Sequence, residues 1–150
     1  MAFHQVREIM NKSCRQHEAV ARFYKELQEL AVDNVKLHYI LGAMKEHEET
    51  IVFCIKEFLK NKNSNILNTW FQYLPDTPLP ADSICPQDTI DEQTAQALFE
   101  EINSRFVAIY EKLADYSSSE SVNELFLRMK SLTNHEGARE GWCYNMLADM

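Results

Sequence analysis

The sequence predicts an all-α chain in which four long helices form two pseudo-repeated hairpins joined by a long, proline-containing crossover. Three observations carry this expectation. All four prolines, Pro75, Pro78, Pro80 and Pro86, fall in one short stretch, and proline is excluded from helix interiors by its missing N–H and its steric clash. The segments on either side carry apolar residues in three-four alternation, the spacing of one buried helix face. The two halves also resemble one another: Phe23-Tyr24-Lys25-Glu26-Leu27 precedes His47-Glu48 in the first, and Ile109-Tyr110-Glu111-Lys112-Leu113 precedes His135-Glu136 in the second. Tyr24 and Tyr110 stand 86 residues apart and the two histidines 88 apart, so a two-residue difference in the intervening hinge brings the copies into register.

The elements follow in order. The first helix is expected over about 3–31, with Val6, Met10, Cys14, His17, Ala21, Tyr24 and Leu27 on its seam. The second, over about 33–61 and capped by Asp33, places Leu37, Leu41, Met44, Glu48, Ile51, Ile55 and Phe58 inward. The third, over about 90–116, offers Phe99, Ile102, Phe106, Ile109, Leu113 and Tyr116, with no polar residue on its stripe. The fourth, over about 120–148 and capped by Ser119 or Ser121, offers Leu125, Met129, Leu132, Glu136, Arg139, Cys143 and Met146. Short hinges make each half an antiparallel hairpin, about 3–61 and about 90–148. A helix of about 27 residues is roughly 40 Å long, a distance that the crossover of about 62–89 can return across in an up-down-down-up bundle. Trp70, Phe71 and Tyr73 precede the prolines. Three clustered aromatics are expected to staple the crossover to the bundle around a short helical turn at about 65–73; a partner-binding patch is the alternative.

At 150 residues the chain is expected to be one domain, spanning 1–150, with enough length to bury a sizeable core. Its net charge of −8 argues against nucleic acid and against anionic membrane as partners, because phosphate recognition needs clustered Lys and Arg. No apolar run is long enough for a transmembrane helix. The opening residues lack the basic-then-apolar pattern of a secretory signal. Cys14, Cys54, Cys85 and Cys143 show no CxxC spacing, so reduced thiols in a cytoplasmic protein are expected, with Cys85 in the crossover the most reactive. No P-loop, nucleophile elbow or dinucleotide fingerprint occurs.

Polar residues interrupt three of the four seams near mid-length: His17, Glu48, and the pair Glu136 and Arg139. A carboxylate on a buried seam is costly unless it is paired, hydrogen-bonded or bound to metal. The repeat sets Glu48 and Glu136 at equivalent depth, so something positive is expected between them: a metal ion, Arg139, or a proton on His17. The alternative is a helix phase shifted by one residue, which would turn His47 and His135 inward instead.

The Phe-Tyr of the first helix, the Asp hinge and the paired glutamates together resemble the ferritin-like superfamily, and within it the rubrerythrin-like branch. The resemblance implies a di-metal centre built from one Glu on each of two helices and a Glu-x-x-His on each of the other two. Residue by residue, the glutamates fall on Glu48 and Glu136, but Ile51 and Arg139 stand where the histidines belong. The first-helix position falls on His17 or Glu18, and the third-helix position on Asn103 or Ser104. The implied site is therefore a degenerate one, with a Glu48–Arg139–Glu136 cluster and His17 close by in place of the metals. The expected protein is a non-catalytic bundle acting by protein–protein interaction, as a dimer or with another partner, and without a cofactor. The alternative is a redox protein that uses His17, Glu48 and Glu136 to hold iron or zinc, with Tyr24 or Tyr110 as a nearby aromatic, for iron oxidation or peroxide reduction.

Overall fold

The computed structural model describes residues 4–60, 65–71, 90–134 and 147. Four helices dominate: α1 (Val6–Leu30), α2 (Val35–Leu59), α3 (Glu92–Asp115) and α4 (Glu120–Asn134). Two short strands, β1 (His4–Gln5) and β2 (Trp70–Phe71), pair antiparallel with His4 opposite Phe71 and Gln5 opposite Trp70. The fold is the expected all-α bundle of two hairpins: α1 packs on α2, α3 packs on α4, and α2 meets α3. Among the described residues no helix is long and apolar enough to cross a membrane.

The helix ends show how the sequence sets the boundaries. The residue before α1, Gln5, is extended and makes no side-chain cap. The exposed N–H groups of the first turn are instead taken by the crossover: Val6 N–H donates to Thr69 O at 2.9 Å and Arg7 N–H to Leu67 O at 3.0 Å. These are two of the four donors that every helix start leaves unpaired. The cap of α2 is Asn34 rather than Asp33, because Asp33 belongs to the hinge turn while Asn34 is extended and its Oδ1 accepts from Leu37 N–H at 3.1 Å. At α3, Asp91 Oδ1 accepts from Thr94 N–H at 2.6 Å. Ser119 directly precedes α4, and its carbonyl accepts from Asn123 N–H at 2.9 Å. The expected continuation of the fourth helix to about 148 lies outside the described residues, except Leu147, which is helical and buried.

The Asp91 cap carries a pH dependence. Hydrogen bonds from the Thr94 hydroxyl and backbone hold its carboxyl below the ordinary carboxylate range. A group depressed in the folded state stabilises fully above its unfolded pKa, about 3.9 for Asp, and loses that contribution as pH falls through the lower folded value. Asp91→Asn keeps a capping oxygen but removes the titration. Its urea midpoint is expected to fall less steeply than that of the native protein below about pH 4; parallel acid limbs would show that the cap does not couple to global stability.

Helix directions can be read from the contacts. Lys36 pairs with Glu92 at 3.4 Å, joining the starts of α2 and α3. Further along, His47 meets Phe99 edge-on, so α2 and α3 run parallel. On α1, His17 stacks on Phe106 while Tyr24 lies against Phe99, so α1 and α3 are antiparallel. The order is up-down-down-up, and the chain must return the length of the bundle between α2 and α3. At the start of that return Leu67 is buried, whereas Trp70 is 58% exposed. The tie to the bundle is thus made by Leu67 and the β1–β2 backbone rather than by the Trp70 ring, and β2 replaces the latter part of the expected helical turn. Tyr73, Cys85 and all four prolines lie outside the described residues.

Every expected seam residue of α1 and α2 is buried. On α3 the seam holds through Leu113, but Tyr116 is 62% exposed because it is the C-cap residue, where the chain turns off the helix axis. On α4, Val122, Leu125, Phe126, Met129 and Leu132 fill the inward face.

Candidate functional site

The centre of the bundle holds a hydrogen-bonded polar cluster with no exposure to solvent. His17, on α1 one turn after Cys14, and Glu48, at the middle of α2, are both fully buried. Their side chains meet at 2.5 Å, His17 Nδ1 to Glu48 Oε2. The other ring nitrogen, Nε2, lies 2.8 Å from the hydroxyl of Tyr110 on α3. A carboxylate only accepts, so Nδ1 carries the proton of the first bond and the Tyr110 hydroxyl donates to Nε2 in the second. Three helices are thus joined by a Tyr110–His17–Glu48 chain.

Packing fixes its geometry. The His17 ring stacks on Phe106 with centroids 3.9 Å apart and planes 17° from parallel. Tyr110 continues the near-parallel series, 14° from the plane of Phe106. Burial pushes the Tyr110 phenol well above its ordinary range, a hydrogen bond with Ser13 offsets part of this, and the Glu48 charge adds to it. Tyr24 is raised for the same leading reason, burial, and then by Glu48. Two polar atoms here, Glu48 Oε1 and the Tyr24 hydroxyl, are buried and have no hydrogen-bond partner among the described residues.

The His47-Glu48 pair resolves without a choice between its members, since both are buried. Glu48 turns toward α1, where it meets His17. His47 turns toward α4, with Nε2 3.1 Å from Thr133 O. Consecutive residues on a helix differ by about 100° in direction, so one pair can serve two neighbouring helices.

Of the residues expected at the site, His17 and Glu48 come together. Glu136 and Arg139 lie outside the described residues, as do His135 and Cys143. Among the described residues no group of three His, Cys, Asp or Glu is placed to hold a metal ion. The third-helix stripe, expected to be apolar, carries two polar residues: Tyr110, which completes the chain, and buried Asn103. The expected stripe passes through Ile109, but Phe99, Asn103, Phe106, Tyr110 and Leu113 also step by four and three, and Tyr110 is the member that reaches the centre. Cys14 and Cys54 are both buried. Burial and a hydrogen bond to Glu18 push the Cys14 thiol up to about 11, so it is protonated at neutral pH and inert as a nucleophile. Compared with protein-family models, curated proteins and solved structures, this chain matches none.

Proposed function

We propose that this chain is a ferritin-like bundle with a degenerate centre, which acts without catalysis through protein–protein interaction. The observation that carries the reading is the commitment of both His17 nitrogens to protein partners, Glu48 and Tyr110, which leaves the imidazole no lone pair for an ion. The parallel run of α2 and α3 with one long crossover supports the ferritin-like part. Arg139 and Glu136 complete the central cluster in this reading, as the sequence expects. The surface supports the interaction part. Leu30, Val32, Val35 and Tyr39 are all exposed around the α1–α2 hinge, beside a groove of about 200 Å³ lined by Leu27, Leu30, Leu37 and Ile90. The first partner expected is a second copy, since two-fold self-association is the commonest assembly, in a cytoplasmic setting.

A second reading has its own support. The unpartnered Glu48 Oε1 and Tyr24 hydroxyl favour a small occupant, and iron or zinc held by His17, Glu48 and Glu136 would serve a redox protein of the same family. Metal analysis of protein grown with iron and zinc, beside Arg139→Ala, separates the two. The expected result is substoichiometric metal in the native chain and a variant that is destabilised or newly able to bind an ion. Stoichiometric metal in the native chain would overturn the degenerate-centre reading. Sedimentation of the same samples reads self-association.

A further inference from the structure

The exposed face of α1 carries its charges in two blocks. Lys12 and Arg15 stand toward its start, Glu26 and Glu29 toward its end, and half-buried Ala19 and exposed Arg22 lie between them. At about 100° per residue, Arg15, Ala19, Arg22, Glu26 and Glu29 share the side of the helix opposite the seam of His17 and Tyr24. The side chains of Lys12, Arg15, Arg22, Glu26 and Glu29 make no ion pair or hydrogen bond among the described residues. On other helices the surface charges are satisfied locally: Arg105 meets Glu101 at 2.7 Å, and Arg128 meets Glu124 at 2.7 Å. In both of those pairs the glutamate comes four residues before the cation, the favourable order on a helix. On α1 the order is reversed, in Arg22 and Glu26 and again in Lys25 and Glu29, and neither pair closes. The outward charges of α1 are thus left for a partner.

The chain carries a net charge of −8, so two copies repel unless the surfaces that meet are close to neutral. The α1 face meets that condition: between residues 12 and 29 it sets four cations, Lys12, Arg15, Arg22 and Lys25, against three carboxylates, Glu18, Glu26 and Glu29. We propose that this face is the contact with a second copy, in which the two α1 helices pack antiparallel about a two-fold axis at the height of Val20. That register sets Arg15 opposite Glu26 of the second copy, Arg22 opposite its Glu18 and Lys12 opposite its Glu29, because the members of each pair lie equally far, to within a residue, from the axis. The two-fold repeats every pair. Parallel packing would set Arg15 on Arg15 and Glu26 on Glu26, so charge selects the antiparallel arrangement. Ala19, near the axis, lets the helices approach, and an arginine stem at Arg22 covers apolar surface beside it. Alongside runs an open groove of about 250 Å³ between α1 and α2, where buried Ala21 and Val52 offer apolar contact to the incoming helix. Glu18 is already shared with Lys56 at 3.6 Å, so Arg15 and Glu26 form the less encumbered pair. This assignment rests on the self-association proposed above and places its contact on α1, with exposed Leu30 at the edge.

The test is sedimentation of the full chain at low and at moderate salt. The native protein is expected to form a dimer that weakens as salt rises. Arg15→Glu and Glu26→Arg each set two like-charge pairs across the axis, and each is expected to raise the dimer dissociation constant about tenfold or more. The double variant Arg15→Glu/Glu26→Arg restores opposite charges with their signs exchanged, and is expected to return to within about threefold of native. Both positions are exposed, so the helical circular dichroism of all three variants is expected to match that of the native chain. Tyr39→Lys, at the hinge, is expected to associate like the native protein. A native chain that stays monomeric overturns this inference together with the second-copy reading. A native dimer that neither single reversal weakens, or a double variant no tighter than the single ones, overturns the α1 contact alone and leaves self-association standing. Loss of that dimer in Tyr39→Lys would then place the contact at the hinge.

Discussion

Glu48→Ala is expected to lose about 3–5 kcal/mol of unfolding free energy, the combined cost of a buried donor left unpaired and of the cavity that truncation opens. Glu48 and His17 are both fully buried and meet at 2.5 Å. Removing the carboxylate leaves the His17 Nδ1–H without an acceptor and empties part of the core, and the two penalties act together. The double variant His17→Leu/Glu48→Leu carries the sharper consequence. Replacing both partners of a buried polar contact by apolar residues of similar volume is often close to neutral or stabilising. The double variant is therefore expected to recover most of what the single one loses, short of about 1–3 kcal/mol for the Tyr110 hydroxyl left without its acceptor. Urea unfolding of the three proteins measures this directly. A single variant within about 1 kcal/mol of native would mean that the pair contributes little, as solvent-exposed pairs do. Recovery by the double variant would show that the cluster is retained for something other than stability.

That inference bears on how far the molecule could be read from its residues alone. The hairpins, their directions and fourteen inward positions on α1 and α2 follow from three-four periodicity and the confinement of proline, because a helix bundle has few ways to bury a continuous apolar stripe. Periodicity has a phase error, and it matters most where a polar residue stands next to an apolar one. Ile109 and Tyr110 are both buried, and periodicity alone does not say which of the two side chains reaches a neighbouring ring. His17 and Glu48 were legible as polar interruptions of two seams. Their contact is a matter of relative helix height, which the short α1–α2 hinge sets, since the two residues lie equally far from it along the chain. The cap of α1 was not legible. It consists of backbone carbonyls of Leu67 and Thr69, sixty or more residues away, and a backbone acceptor leaves no signature in side-chain identity. The same reason explains Trp70: an aromatic near prolines reads as an anchor, yet here the strand backbone makes the attachment and the ring stays largely in water.

Phe106→Ala should cost about 3–5 kcal/mol as well, by a different route. Phe106 is fully buried, stacked on His17, and near-parallel to Tyr110 beyond it. Truncation removes the transfer energy of the ring and opens a cavity against the one polar group of α1 that bridges to two other helices. The stack itself contributes about 0.5–1.5 kcal/mol beyond area. A cavity lined wholly by aliphatic residues would stay dry, but this one borders the His17 ring and lies near the unpartnered Glu48 Oε1, and water enters a cavity that offers it polar partners. Hydration would loosen the Tyr110–His17–Glu48 chain by giving each member a competing partner. The variant is therefore expected to show both a lower urea midpoint and faster amide exchange at mid-helix positions of α1 and α2. Phe106→Leu, which refills most of the volume without the ring, should fall between the two proteins in stability. A loss of only about 1 kcal/mol in Phe106→Ala, with exchange unchanged, would mean that the bundle closes over the vacated space; His17 would then be held by its two hydrogen bonds alone, and the aromatic stack would have no part in fixing the geometry at the centre.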